Sequence, residues 1–156
     1  GVFSQNDFSR EGIILYTLGY SLATIGIFAV LIKMKDYTFE GFNGLARTEP
    51  VLAATTTIFL LSLAGIPLTI GFFAKYFMLA SAVKSGSHLW LVIFAIICAA
   101  ISVYYYFRVI QSMYFKTGQA ETEPVTPVFR WLLAGMAAVV IILGIFPNLV
   151  LQYLYF

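Results

Sequence analysis

Residues 51–84 read VLAATTTIFLLSLAGIPLTIGFFAKYFMLASAVK, an apolar run whose only charge before the closing Lys84 is Lys75. One straight helix over this run, at about 1.5 Å per residue, would overshoot a hydrocarbon core of about 30 Å. Pro50 precedes the run and suits the first turn of a helix, where a missing N–H does no harm. Inside it, Gly65-Ile66-Pro67 removes a backbone donor and brings a ring against the preceding turn, so the helix is expected to kink or break near mid-membrane. The expected result is two half-helices, about 51–64 and 68–84, which together make one crossing. With the membrane boundary near Lys84, Lys75 lies about 13 to 14 Å deep, too far for its stem to reach the surface. A lysine at that depth costs at least about 2.5 to 3.5 kcal/mol on insertion scales, so it must face protein, a partner or water. Two readings stand: a group that gains and loses a proton on a transport path, or a lysine paired structurally with an acid on another helix. The break carries two readings as well, an ion site of the kind broken helices form in transporters or an ordinary proline kink. Gly71, one turn before Lys75 on the same face, leaves room for a neighbouring helix or a file of water.

Outward from this stretch, the composition fits the same solvent. With 61% hydrophobic residues, 10% charged ones and a mean hydropathy of +0.92, the chain lacks the charges to cover a soluble domain. The expected fold is an all-α, polytopic transmembrane helix bundle, a single domain over residues 1–156. Its four spans fall at about 13–32, 51–84 (broken at 65–67), 89–115 and 128–146. Between the first two, residues 36–47 hold Phe39, Phe42, Leu45 and Ala46 at helical spacing, which predicts a segment lying in the interface. Thr126-Pro127 reads as a cap and first turn, and Pro147-Asn148 as a stop before an aromatic anchor of Tyr153, Tyr155 and Phe156. Four crossings gather Lys33, Lys35, Arg47, Arg108, Lys116 and Arg130 on one side, against Arg10 and Lys84 on the other. The positive-inside rule then makes the first and third connectors cytoplasmic and both ends periplasmic. The chain opens on Gly1 rather than Met, and its first twelve residues lack the pattern of a signal peptide, so it reads as a piece of something longer.

Other polar side chains inside the spans are candidates for a proton relay: Tyr16, Tyr20 and Thr24 on the first helix, Thr55, Thr56 and Ser62 before the break, and Ser102, Tyr104, Tyr105 and Tyr106 on the third. The competing reading for each is interhelical hydrogen bonding. Arg108 is expected near the cytoplasmic end of its helix, holding a lipid phosphate or a helix terminus, and His88 reads as a loop residue. Cys98 stands alone, without a disulfide or a multi-cysteine metal site. No metal-ligand spacing, phosphate loop or nucleophile elbow occurs, and a net charge of +2 with scattered cations excludes a nucleic-acid surface.

Five motifs occur in order: YTLGYSLATIGIFAVL (residues 16–31), GLAR (44–47), SLAGIP (62–67), GFFAK (71–75) and SVYYYFR (102–108). Together they resemble the antiporter-like membrane subunits of NADH-quinone oxidoreductase, respiratory complex I, and among these the subunit N type. That resemblance implies that the four spans are the last of a longer subunit and that Lys75 aligns with the ionisable residue of a terminal half-channel. The corresponding residue is usually glutamate in subunit M, so lysine points to N or L, and the tyrosines after GFFAK favour N. Many members have Pro-Pro where this chain has Pro67-Leu68, which bears on the shape of the break. The resemblance also implies a bacterial plasma (inner) membrane and other membrane subunits as partners, with protons and the bilayer as further contacts. NADH, flavin, iron-sulfur clusters and quinone are then expected in partner subunits and no cofactor in this chain. The family's other half-channel uses residues on helices that this sequence does not contain, so this stretch alone is not expected to pump. A subunit of a multi-subunit cation/proton antiporter, and a purely structural membrane scaffold, are the alternatives.

Overall fold

The computed structural model describes residues 7–85 and 89–152, and all its regular elements are helices. They are α1 (Asp7–Lys33), α2 (Leu45–Thr48), α3 (Pro50–Ala64), α4 (Ile70–Ser85), α5 (Leu89–Phe115), α6 (Pro127–Ile145) and α7 (Asn148–Leu151). Within α1, the stretch Gly12–Lys33, and the whole of α5 and α6, are long and apolar enough to cross a membrane. The chain is an integral membrane protein, and its α3 and α4 are the two pieces of a discontinuous helix.

Local chemistry sets the helix ends. Pro50 occupies the first turn of α3, and Pro127 that of α6, where the Thr126 hydroxyl accepts a hydrogen bond from the Phe129 N–H at 3.3 Å. At the other end of α3, Gly65 adopts φ 82°, a left-handed conformation that a residue without Cβ enters freely. Phe146 closes α6 ahead of Pro147, which disfavours helical geometry in the residue before it.

Three glycines on α1 fix how the bundle goes together. Gly12 lies against Met78 of α4, Gly19 against Ile70 at the start of α4, and Gly26 against the ring of Phe59 in α3. A Cβ at Gly19 would stand 2.9 Å from the Ile70 side chain. The order of these contacts shows that α1 runs antiparallel to α3 and α4 laid end to end, so the two half-helices share one crossing. The glycines are spaced by seven residues, close to two helical turns, which keeps them on one slowly drifting face. This seam is written in glycine and so leaves no heptad in the apolar pattern. On the other flank Gly144 of α6 lies against the backbone of Leu68 and Thr69 in the break. Leu15, Ala23 and Val30 of α1, Leu52 and Phe59 of α3, Ile70 and Ala74 of α4, and Leu133, Ala137 and Val140 of α6 form the core between them.

In the segment 36–47 the helical spacing is realised only at its end. Only Leu45–Thr48 is helical; before it the chain turns, with Asp36 accepting from the Thr38 N–H at 2.9 Å and Gly44 at φ 74°. Local hydrogen bonds of this kind compete with a helix, and the two glycines do not favour one. Phe42 and Leu45 turn inward, joining Met34, Ala53, Leu60, Met113 and Ala120 in a second cluster. The 116–126 connector is clipped to the end of α1, with Lys35 N–H donating to Glu121 O and Glu123 N–H to Lys33 O.

Candidate functional site

Helix α3 ends in a Schellman motif. The Ile66 N–H donates to Leu61 O and the Gly65 N–H to Ser62 O, each at 3.0 Å, which satisfies two of the four carbonyls that a helix C-terminus leaves open. The next two, Leu63 and Ala64, receive the side chain of Lys75: its Nζ donates to Leu63 O at 2.8 Å and to Ala64 O at 3.0 Å. Lys75 sits in the second turn of α4, and helical side chains lean toward the N-terminus of their own helix. The ammonium group therefore reaches back across the break to the negative end of the α3 dipole. Gly65 makes the passage possible, since a Cβ there would stand 2.8 Å from Lys75 Cδ.

The expected alternative to a transport role, pairing with an acid, finds no support among the described residues: no carboxylate lies in salt-bridge range of Lys75. Its partners are backbone carbonyls. An ammonium group carries three N–H donors, and these two bonds leave one over.

Beside Lys75 a cavity of about 330 Å³ opens between α1, the break, α4 and α5. Tyr16 and Tyr20 line one wall, their rings stacked with centroids 5.7 Å apart. Ser102 and Tyr106 of α5 line another, and Gly71 and Ser62 the floor. Ser62 is 2% exposed, and its hydroxyl has no hydrogen-bond partner. Its carbonyl lies against Gly71, where any Cβ would collide with it. The break residues Gly65, Ile66 and Pro67 form the turn that presents the Leu63 and Ala64 carbonyls.

The remaining candidates fall elsewhere. Tyr104 and Tyr105 are 64% and 51% exposed and do not line the cavity. Thr55 and Thr56 return their hydroxyls to carbonyls one turn back in α3, the usual arrangement for a threonine in an apolar helix. Thr24 is partly buried, with a hydroxyl that has no partner. The Arg108 guanidinium stacks on the ring of Phe39, 4.5 Å from its centroid. His88, Tyr153, Tyr155 and Phe156 lie outside the described residues. Sequence reasoning weighed Cys98, which lines the cavity, only for a disulfide or a metal site, and did not single out Leu63 and Ala64. The lean of helical side chains toward the N-terminus was the signal available for the two carbonyls.

Comparison with known proteins gives this geometry a context. Residues 1–102 match the family described as NADH:quinone oxidoreductase/Mrp antiporter, TM. NADH-quinone oxidoreductase subunit N of Trichlorobacter lovleyi is 40% identical over 160 residues, covering 98% of this chain and 33% of that protein. The subunit N of Bdellovibrio bacteriovorus is 44% identical over 126 residues, covering 78% and 26%. Among solved structures, a chain of respiratory complex I from Thermus thermophilus with bound aureothin superposes with a TM-score of 0.83 at 30% identity, covering 91% of this chain and 34% of that one. The chain thus spans about a third of the length of the curated relatives it matches.

Proposed function

Since this chain belongs to the NADH:quinone oxidoreductase/Mrp antiporter transmembrane family, we propose that it forms the terminal half-channel of a proton-translocating membrane subunit of NADH-quinone oxidoreductase, with Lys75 taking up and giving off the proton. One observation carries the reading: the single charged side chain between residues 51 and 83 stands at a helix break and beside a cavity lined by hydroxyl groups. Two N–H bonds hold the charged form against α3, and the third N–H is the one free to pass to cavity water. Hydroxyls of Tyr16, Tyr20, Ser102 and Tyr106 bound a space in which water can relay that proton. The redox groups belong to partner subunits, and the cation-rich end of the bundle faces the cytoplasm.

The test is Lys75→Gln in the full-length subunit of the assembled complex. Glutamine keeps two N–H donors for the carbonyls but does not titrate. NADH-driven pumping is expected to fall while assembly persists; pumping unchanged per electron would return Lys75 to the role of a cap. That structural reading has its own support in the two carbonyl bonds, and it predicts loss of assembly in Lys75→Met. Protection of cells against sodium or alkali without dependence on NADH would favour a cation/proton antiporter instead.

A further inference from the structure

The partners of Lys75 are those of a cation site rather than of a salt bridge. Two carbonyl oxygens converge on one ammonium group at 2.8 and 3.0 Å at the negative end of α3. Unwound carbonyls and half-helix C-termini of this kind hold monovalent ions in membrane proteins. Lys75 leaves one possible acceptor of its environment unused, the Ser62 hydroxyl oxygen, which is buried, lines the same cavity and has no hydrogen-bond partner. The Lys75 stem tethers Nζ to the two carbonyls, whereas a free ion is not held to that point and has the rest of the cavity wall, Ser62 included, within its reach. The titratable groups facing the cavity are Tyr16, Tyr20, Tyr106, Cys98 and Lys75, with no carboxylate among them. The site therefore presents neutral oxygens to its occupant, which suits a singly charged ion that sheds water readily better than a divalent one.

We propose that the carbonyls of Leu63 and Ala64 and the hydroxyl of Ser62 form a binding site for a monovalent cation of ammonium size. The Lys75 ammonium group is its resident occupant, and a potassium or small alkylammonium ion takes its place when that group is removed or turned away. Cavity water completes the coordination of such an ion. The site does not depend on Lys75 carrying protons, so it goes beyond the reading above.

The experiment uses the assembled complex with Lys75→Ala in the full-length subunit and Cys98 as a local reporter. Labelling of Cys98 by a small methanethiosulfonate is followed by mass spectrometry of its peptide at constant ionic strength. Potassium chloride and methylammonium chloride are expected to slow labelling with a saturable dependence, and tetramethylammonium chloride, too bulky and without N–H groups, is not. Adding Ser62→Ala should raise the half-saturating concentration about fivefold, the equivalent of one ordinary hydrogen bond. In the native complex the three salts should act alike, because Lys75 fills the site. Equal labelling of the Lys75→Ala complex in all three salts would overturn the proposal, as would protection indifferent to Ser62→Ala. Where Cys98 resists the reagent, the readout becomes the thermal unfolding midpoint of the Lys75→Ala complex at constant ionic strength, which potassium and methylammonium are expected to raise above its value in tetramethylammonium. Equal midpoints in the three salts overturn the site. Full pumping by Lys75→Ala without any salt would instead sink the proton-transfer reading, while the labelling result would still report on the cation site.

Discussion

At Lys75 an observed cap and the proposed proton-transfer role share one side chain, and neighbouring residues allow them to be separated. The Leu63 and Ala64 carbonyls cost about 1 to 3 kcal/mol each if left without a donor in a dry site, less where cavity water reaches them. Lys75→Met should therefore destabilise the subunit by about 2 kcal/mol more than Lys75→Gln in thermal unfolding, although neither side chain titrates. Gly65→Ala is a second probe. A left-handed conformation costs an L-residue about 1 to 2 kcal/mol, and the new methyl would also press on Lys75 Cδ. In a double-mutant cycle with Lys75→Ala the steric part should vanish and the backbone part remain; full additivity would show that the two residues do not touch. The depth of Lys75 was legible from the sequence because a bilayer has a fixed thickness. Its partners were legible only through the lean of its side chain toward the break, because a carbonyl carries no residue-type signature.

At the scale of elements, the break between α3 and α4 and the glycine seam of α1 hold each other in place. Leu68 adopts φ 76°, a left-handed conformation that proline cannot reach. A Pro-Pro break of the kind the resemblance describes must therefore take another shape. Leu68→Pro is expected to destabilise this chain by about 2 kcal/mol or more, measured by thermal unfolding of the purified full-length subunit. An unchanged midpoint would mean that the turn at 68 re-forms freely. On the seam, Gly26→Ala places a methyl group in the Phe59 ring and should cost about 1 to 3 kcal/mol as overpacking. Phe59→Leu in the same chain should recover part of that loss. Both half-helices were legible from Pro50, Gly65 and Pro67, whose backbone chemistry acts locally. The seam was not, since glycine adds nothing to an apolar pattern.

For the whole molecule, the spans were legible because length and hydropathy alone define them. What packs on what was harder to read, since a membrane helix is apolar on its lipid-facing and protein-facing sides alike. Helix α5 makes the point: only Val92, Ser112 and Met113 among its residues are buried, so its outer faces are left for lipid or for other protein. The rest of the bundle is fastened at its cation-rich end, where Arg130 of α6 pairs with Glu49 at 2.8 Å and the Glu49 side chain is only 16% exposed. Glu49→Gln and Arg130→Gln are each expected to cost about 1 to 2 kcal/mol, with the double variant less harmful than their sum. A coupling energy near zero would mark the pair as incidental. In the 36–47 segment the sequence does not show which apolar residues turn inward, because the cluster that Phe42 and Leu45 join depends on Met113 and Ala120, far away in sequence.

A cap that is also a titratable group ties chemistry to mechanics. Because the amine of Lys75 is borne by one half-helix and its acceptors by the other, proton occupancy and the spacing of α3 and α4 are linked functions. Any force that shifts one half-helix against the other must register as a changed affinity of the amine for its proton. By the reciprocity of linkage, proton exchange at Lys75 must in turn exert a force across the break. On the proton-transfer reading proposed above, the junction is a small transducer, able to pass work between a distant strain and a local protonation in either direction.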